Sequence, residues 1–263
     1  MAYTVLLPKG DLLPRILTGL LVVPAVIFLI FQDPIYFKTI AIFLAFGLLR
    51  EWSRLTMGKN YYWMNSICLL AIFLTFIPVL VVGAIAIVLA GCAWLYYLDI
   101  FDTKKSIVIC TGYFYITLSM GIFLQVVPKI GGAYFIVLLL ALVWFVDTGA
   151  FIVGRTIGGP KLAEKISPNK TWSGFIGGII FGLFGVLSLI KAMKLEVANS
   201  FWIFSAVSVF LAQGGDLLES WCKRYFNVKD TGRLFPGHGG LLDRLDSLLA
   251  VTFAAGLLWY FCG

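Results

Sequence analysis

Residues 63–98 form one uninterrupted apolar run, WMNSICLLAIFLTFIPVLVVGAIAIVLAGCAWLYYL, with no charged side chain in 36 residues. A helix that crosses a bilayer needs about 20 consecutive apolar residues, so this run is too long for a single span. Pro78 and Gly83, near its middle, favour a turn. The run therefore predicts two membrane-spanning helices and indicates a polytopic membrane protein.

The composition of the whole chain agrees with this class. Hydrophobic residues make up 61% of the chain and charged residues 13%, and the mean hydropathy is +0.99. Soluble domains are about 25% charged on average, which excludes a soluble globular protein. A transmembrane barrel would alternate polar and apolar residues in segments of about ten, a pattern that the sequence lacks. The predicted fold class is all-α.

Nine apolar runs are candidate membrane spans. They cover roughly residues 16–31, 35–49, 63–78, 80–98, 106–127, 131–153, 172–190, 199–215 and 242–262. No small-residue cleavage site follows the first run, so we expect it to remain as an uncleaved span. We interpret residues 1–130 as a variable scaffold of spans. Residues 131–263 are then the catalytic region, with cytoplasmic loops at 154–171 and 216–247.

The distribution of basic residues predicts the orientation. With the N-terminus in the cytoplasm, sixteen of the twenty Lys and Arg residues lie on the cytoplasmic face. The other four are Lys38, Lys129, Lys191 and Lys194. Cytoplasmic loops carry the excess of positive charge, so the nine spans place the C-terminus outside. The net charge of +7 then reflects topology and contact with anionic lipids, and we expect no nucleic-acid partner.

A single carboxylate lies inside the sixth predicted span, in ALVWFVDTGAFIVGR, residues 141–155. A charged side chain within a membrane span is costly and indicates function by default. The alternative is a structural ion pair with Arg155, about two turns further on, or with a lysine of another helix. We expect Asp147 to belong to the functional site.

The segment between the sixth and seventh spans is GRTIGGPKLAEKISPNKTWSG, residues 154–174. It places Ser167, Asn169, Lys170 and Thr171 just before a predicted helix. A helix N-terminus presents free N–H groups and a positive dipole end, which suit an anion. A loop that only sets the topology would explain the positive charge but not the hydroxyl and amide groups. We expect these four residues to contact phosphate.

The densest polar stretch lies between the eighth and ninth spans: GGDLLESWCKRYFNVKDTGRLFPGHGGLLDRLDS, residues 214–247. It holds five of the thirteen acidic residues and the only histidine, His238. If its beginning is helical, Asp216, Ser220 and Lys223 share one face. An acid, a hydroxyl and a cation would then lie in a line.

Two further carboxylates, Asp243 and Asp246, lie three residues apart near the cytoplasmic start of the last predicted helix. Together with Asp216 they would converge where a lipid head group lies. Oxygen ligands with positions left open for substrate phosphates suit Mg²⁺, whereas one histidine and no CxxC motif do not fit zinc. The alternative is that neighbouring cations only neutralise these acids in structural ion pairs; the cations are Lys223, Arg224 and Arg244.

These residues carry a resemblance to a known family. The stretch Ser220–Asp246 resembles the signature of the phosphatidate cytidylyltransferases, also called CDP-diacylglycerol synthases, over 27 positions without a gap. It includes the core HGGxxDRxD, residues 238–246. Upstream, Ser167–Gly174 (SPNKTWSG) is similar to a second family block, with Asn169 where many members have lysine. The resemblance extends over roughly the C-terminal half of the chain.

The resemblance implies a reaction in which CTP and phosphatidic acid give CDP-diacylglycerol and pyrophosphate, with Mg²⁺ required. The family's acid-held cation centre points to Asp216 and Asp243, with Asp246 and Asp147 close by. Whether a second, monovalent cation joins Mg²⁺ stays open. His238 would either donate to a phosphate oxygen or orient a carboxylate. The groups that we assign to the substrates are Ser167, Asn169, Lys170, Thr171, Ser220, Lys223, Arg224 and Arg244.

The chemistry agrees with these residue types. The second pKa of a phosphomonoester is near 6, so the lipid phosphate is largely dianionic at neutral pH and needs no strong base. The difficulty is to bring two anions together. Metal ions and fixed cations do this by neutralising charge and aligning the attacking and leaving oxygens. A site rich in carboxylates and cations, with one histidine, fits this need.

Two other functions remain open at this stage. A secondary transporter would also carry an intramembrane acid, but it should show repeated halves and polar access from both faces. A different Mg²⁺-dependent lipid phosphotransferase, acting on a prenyl phosphate, would share the carboxylates and basic loops.

Size and the lack of an organelle-targeting extension favour the bacterial inner (cytoplasmic) membrane, with the site on its cytoplasmic side. The sequence does not determine acyl-chain preference or oligomeric state, a homodimer included.

Overall fold

The computed structural model describes residues 24–75, 81–98, 102–125, 127–232 and 239–262. Residues 24–30 are helical, and residues 16–23 of the first predicted span lie outside the described residues. Pro78, the predicted turn residue in the long apolar run, also lies outside them. His238 falls in the gap between residues 232 and 239, together with the remainder of the FPGH segment.

The described chain is helical almost throughout, which confirms an all-α membrane protein. The helices are α1 Pro34–Met57, α2 Tyr62–Leu74, α3 Val81–Tyr97, α4 Thr103–Gln125, α5 Val127–Ile157, α6 Trp172–Ala192, α7 Asn199–Tyr225 and α8 Leu242–Cys262. Each predicted span from the second to the ninth overlaps one of these helices. A short antiparallel hairpin of β1 (Lys161–Ala163) and β2 (Ser167–Thr171) lies between α5 and α6. The sequence did not predict this hairpin.

Four segments of the described chain are long and apolar enough to cross a membrane. They are Thr103–Ile130, Gly132–Ile157, Trp172–Ala192 and Asn199–Tyr225. The helices also continue past the predicted spans into polar residues, α1 as far as Met57 and α7 as far as Tyr225. The first part of each predicted cytoplasmic loop is therefore helical, which holds its polar side chains on rigid elements.

Small residues allow the two most closely packed helices, α5 and α6, to approach each other. A Cβ atom at Gly174 would lie 2.8 Å from the carbonyl oxygen of Ala150 and 3.2 Å from the Cα atom of Gly154. Interfaces of this kind are typical of membrane helices, where small residues let the backbones come together. The contact places the hairpin directly beside the C-terminal part of α5, which carries Asp147.

Hydrogen bonds between buried side chains join α1, α2 and α4. The Ser53 hydroxyl lies 2.9 Å from the Tyr113 hydroxyl, and Tyr113 donates to Asn65 Oδ1 over 3.2 Å. Trp52 Nε1 donates to the carbonyl oxygen of Ile109 over 3.0 Å. Buried polar groups need such partners, and here they fix α1 at one distance from α4. The polar end of α1 is thereby held next to α8.

Candidate active site

The C-terminal part of α7 carries a row of ionisable side chains. Asp216, Glu219 and Lys223 follow one another at helical spacing, so they share a face. The Ser220 hydroxyl lies 3.5 Å from Asp216 Oδ1, at the outer limit of a hydrogen bond. The predicted line of acid, hydroxyl and cation therefore exists, but Glu219 takes part in it as well.

The hairpin segment and α7 are brought together by two contacts. Lys170 Nζ lies 2.7 Å from Asp216 Oδ2, in a partly exposed ion pair. Arg224 Nε donates to the carbonyl oxygen of Ile166 over 3.3 Å. The two polar segments singled out in the sequence thus form one site, although about fifty residues separate them.

The side chain of Thr171 caps the N-terminus of α6. Thr171 accepts a hydrogen bond from the Gly174 N–H group over 3.1 Å, and its hydroxyl lies 3.0 Å from that of Ser173. Thr171 is buried, whereas Asn169 is exposed and Ser167 is half-buried on β2. A side-chain oxygen at this position satisfies one of the free helix N–H groups. Thr171 therefore has a structural partner where the sequence predicted a phosphate contact.

Lys223 is held between two carboxylates. Its Nζ atom lies 2.5 Å from Glu219 Oε2 and 2.7 Å from Asp243 Oδ1. Its side chain is 14% exposed and that of Glu219 is 7% exposed. For Lys223 the geometry corresponds to the structural ion pair that was the alternative to phosphate binding. Glu219, which the sequence analysis did not single out, is one of its two partners.

The Asp243 carboxylate accepts hydrogen bonds from residues that precede α8. Its Oδ2 atom accepts hydrogen bonds from Thr231 N (3.0 Å), Thr231 Oγ1 (2.8 Å) and Gly240 N (2.8 Å). Its Oδ1 atom accepts the bond from Lys223. Four donors thus converge on one carboxylate, which links Thr231 and Gly240 to Lys223 of α7.

Glu51, at the polar end of α1, contacts the same loop. It accepts hydrogen bonds from the N–H groups of Leu241 (2.9 Å) and Leu242 (2.8 Å). Its Oε2 atom also lies 3.1 Å from Thr231 Oγ1, whose single proton is shared between Glu51 and Asp243. A Cβ atom at Gly232 or Gly240 would come within 2.5 Å of a Glu51 oxygen. Any larger side chain at either position would therefore clash with Glu51. Glu51 was missed because its partners are 180 or more residues away and it matches no local motif.

A second group of carboxylates lies beside this network. Asp147 interacts electrostatically with Asp216 and with the cations Lys170 and Arg244. Asp246 interacts with Asp147, Asp216 and Glu219, and its Oδ1 atom accepts a hydrogen bond from Ser247 N over 2.7 Å. The structure therefore places Asp147, Asp216 and Asp246 within electrostatic range of one another, and their assignment to a metal stays a prediction.

The carboxylates of the site can be compared with the ligands that Mg²⁺ prefers. Within the described ranges, no three His, Cys, Asp or Glu side chains are placed to share one metal ion. Mg²⁺ is commonly bound by one or two carboxylates together with waters and substrate phosphates, so a three-carboxylate cluster is not required. The like-charged oxygens of Asp216 and Asp246 fit this chemistry. Asp243 fits less well, because four donors already converge on its two oxygens.

Replacing Lys223 with methionine should destabilise the fold, because two buried carboxylates would lose their shared cation. Breaking a buried ion pair costs about 3–5 kcal/mol, which thermal unfolding in detergent would report as a clear fall in Tm. A second change, Glu219→Gln, should restore part of that loss. Lys229→Met, at an exposed position of the same segment, is the matched control. Equal Tm values for both lysine variants would contradict a structural role for Lys223.

Comparisons with known proteins identify the family of the chain. Residues 13–262 match the sequence profile of the Cytidylyltransferase family. The phosphatidate cytidylyltransferase of Rickettsia bellii is 35% identical over 249 residues, which is 92% of this chain and 87% of that protein. Its counterpart in Rickettsia conorii is 32% identical over 257 residues, or 95% and 92%.

A third relative matches more strongly over a shorter range. The phosphatidate cytidylyltransferase of Brucella suis is 48% identical over 126 residues. That alignment covers 48% of this chain and 46% of the Brucella protein, so it spans less than half of each. The profile match covers almost the whole chain, and on that ground the protein belongs to the cytidylyltransferase family.

Proposed function

We propose that this protein transfers the cytidylyl group of CTP to phosphatidic acid, giving CDP-diacylglycerol and pyrophosphate for phospholipid synthesis. One observation carries the proposal. The segment that resembles the family's second block meets α7, the helix in which the long signature begins at Ser220, through the Lys170–Asp216 ion pair. Family membership over residues 13–262 and relatives named phosphatidate cytidylyltransferase support the choice of reaction.

The reaction joins two anions. A phosphate oxygen of the lipid attacks the α-phosphorus of CTP, and the bond from that phosphorus to the bridging oxygen of the β-phosphate breaks. Pyrophosphate leaves with that oxygen and its electron pair. Because the lipid phosphate is already largely dianionic, the protein needs mainly to hold the two phosphates in line. Lys170, Arg224 and Arg244 are the cations that we assign to this task.

We assign the metal to Asp216 and Asp246, with Asp147 beside them. When bound, Mg²⁺ supplies charge neutralisation to the reacting phosphates. Asp243 is better described as a positioning residue, since it holds Lys223, Thr231 and the loop before α8. In this assignment Lys223 keeps the carboxylates of α7 and α8 together rather than binding phosphate.

We infer a nine-span topology with the N-terminus in the cytoplasm and the site at the cytoplasmic face of a bacterial inner membrane. The sixteen-to-four distribution of basic residues supports it, as does the overlap of helices with the predicted spans. The relatives named above are bacterial proteins. The N-terminal region is then more than a scaffold, because its Glu51 contacts the catalytic loop.

The proposed reaction can be tested with purified protein, phosphatidic acid, Mg²⁺ and each nucleoside triphosphate in turn. We expect pyrophosphate release with CTP and phosphatidic acid together, and formation of CDP-diacylglycerol in the lipid fraction. A parallel reaction with a prenyl phosphate and a nucleotide sugar tests the alternative function, a lipid phosphotransferase that acts on a prenyl phosphate. Activity in that reaction, without pyrophosphate release from CTP, would replace the proposal.

A further inference from the structure

A groove of about 270 Å³ lies between α4, α7 and α8, with Trp52 of α1 in its wall. Most of the side chains that line it are apolar, such as Val108, Ile116 and Leu249. Its few polar side chains include Tyr115, Glu219 and Asp246. The groove therefore combines a long apolar wall with carboxylates that belong to the site described above.

The rim of the groove carries exposed apolar side chains. Ile107 on α4 and Leu218 and Trp221 on α7 are 58%, 49% and 38% exposed, and all three line the groove. Both helices lie in segments long and apolar enough to cross a membrane. Exposed apolar groups on such helices face lipid rather than water. A molecule in the bilayer could thus enter the groove between α4 and α7.

The groove is continuous with the catalytic carboxylates. Glu219 and Asp246 line it, and Gly215 in its wall lies directly against α8. A Cβ atom at Gly215 would be 2.7 Å from the backbone oxygen of Asp246. A lipid with its tail in the groove would thus have its head group beside Asp216 and Asp246, where the metal and phosphates are assigned.

Two polar atoms in the wall lack partners. Among the residues that the structure describes, Tyr115 Oη and Glu219 Oε1 are buried without a hydrogen bond. Tyr115 and Asp246 both line the groove. A buried polar group without a partner is costly, so a ligand that supplies one would be favoured. The ester carbonyl of a glycerolipid is an acceptor of the kind that the Tyr115 hydroxyl lacks.

We propose that this groove binds an acyl chain and the adjoining ester of the lipid substrate, with Tyr115 as a positioning residue. The inference rests on the proposed function. A chain that moves from the bilayer into the groove exchanges one apolar environment for another, so little free energy is gained. The groove therefore acts by orienting the lipid so that its phosphate is held in position for the reaction. Pockets for drug-sized ligands begin near about 300 Å³, so the groove accommodates part of one chain.

Filling the groove tests this inference. Thr111→Trp places a large ring at the exposed rim on α4. We expect kcat/KM for dioleoyl phosphatidic acid to fall about tenfold or more, because misplaced substrates react slowly. Dihexanoyl phosphatidic acid, whose chains are too short to fill the groove, should react as before. The matched control is Ile85→Trp, which fills a separate groove of about 190 Å³ between α2, α3 and α4.

Removing the hydroxyl group gives a second test that does not depend on bulk. Tyr115→Phe deletes an atom without a partner in the described structure, so Tm should be unchanged or higher. The KM for dioleoyl phosphatidic acid should rise about threefold to tenfold, the worth of one hydrogen bond, with the KM for CTP unchanged. The control Tyr113→Phe removes a hydroxyl bonded to Asn65 and Ser53, so it should lower Tm and leave both KM values unaltered.

The outcomes separate the two proposals. Wild-type protein that forms no CDP-diacylglycerol from either lipid would overturn the proposed function. If the wild type is active, two results together would overturn the groove alone. Thr111→Trp would show the wild-type preference between dioleoyl and dihexanoyl lipid, and Tyr115→Phe would show the wild-type KM for lipid.

Discussion

Asp216→Asn should lower kcat at least a hundredfold while the protein stays folded. The substitution keeps the size of the side chain but removes a charge that we assign to the metal and phosphate site. Loss of one electrostatic group from such a site typically costs about 10²–10³ in rate. In the part of the chain that the structure describes, this change removes the ion pair with Lys170, whose side chain is 25% exposed, against 36% for Asp216. Pairs of this kind contribute about 0–1 kcal/mol, so Tm should change little.

Two comparison variants make that measurement specific. Asp102→Asn removes the charge from another exposed ion pair, with Lys105 at 3.8 Å, and should leave kcat and Tm near wild type. Asp243→Asn should lower both activity and Tm, because four donors depend on its two oxygens. Turnover of Asp216→Asn near the wild-type rate would remove Asp216 from the catalytic centre.

Glu51→Ala should have the largest effect on the fold of the site. It would leave two N–H groups at the start of α8 and the Thr231 hydroxyl without this acceptor. Each such group costs about 1–3 kcal/mol, so we expect a loss of about 3 kcal/mol or more and little activity. The direct measurement is hydrogen–deuterium exchange, in which the Leu241 and Leu242 amides should exchange much faster than in the wild type.

A graded series around Glu51 identifies the cause. Glu51→Gln keeps one oxygen acceptor and should therefore fall between Glu51→Ala and the wild type in Tm. Glu164→Ala changes an exposed acid in the hairpin turn and should match the wild type. If amide exchange before α8 were unchanged in Glu51→Ala, the carboxylate would not be what holds this loop.

Much of the fold follows from local properties of the sequence. The apolar runs predicted helices at the right places because a chain in lipid must satisfy its backbone hydrogen bonds internally. Asp147 was singled out because one charge in an apolar span is conspicuous. The spacing in the stretch from Ser220 to Asp246 identified the family, and the profile match agrees.

The roles of individual side chains were less predictable. Lys223 was expected to bind phosphate, but Glu219 and Asp243 surround it. Both roles suit a lysine at that position in the sequence. Only the approach of α8 to α7 distinguishes them, because it decides which carboxylates come within reach of its ammonium group. Thr171 likewise caps α6 rather than remaining open to a ligand.

By itself, then, the sequence determined the class of the protein, its membrane helices and the two polar segments that meet in the structure. These depend on hydropathy, charge and short spacings, all of which are local. Tertiary structure alone decided that Glu51 closes the loop before α8, that Lys223 joins two acids and that a lipid-accessible groove ends at Asp246. Such features arise where helices distant in sequence pack together, and no local pattern records which side chains will meet there.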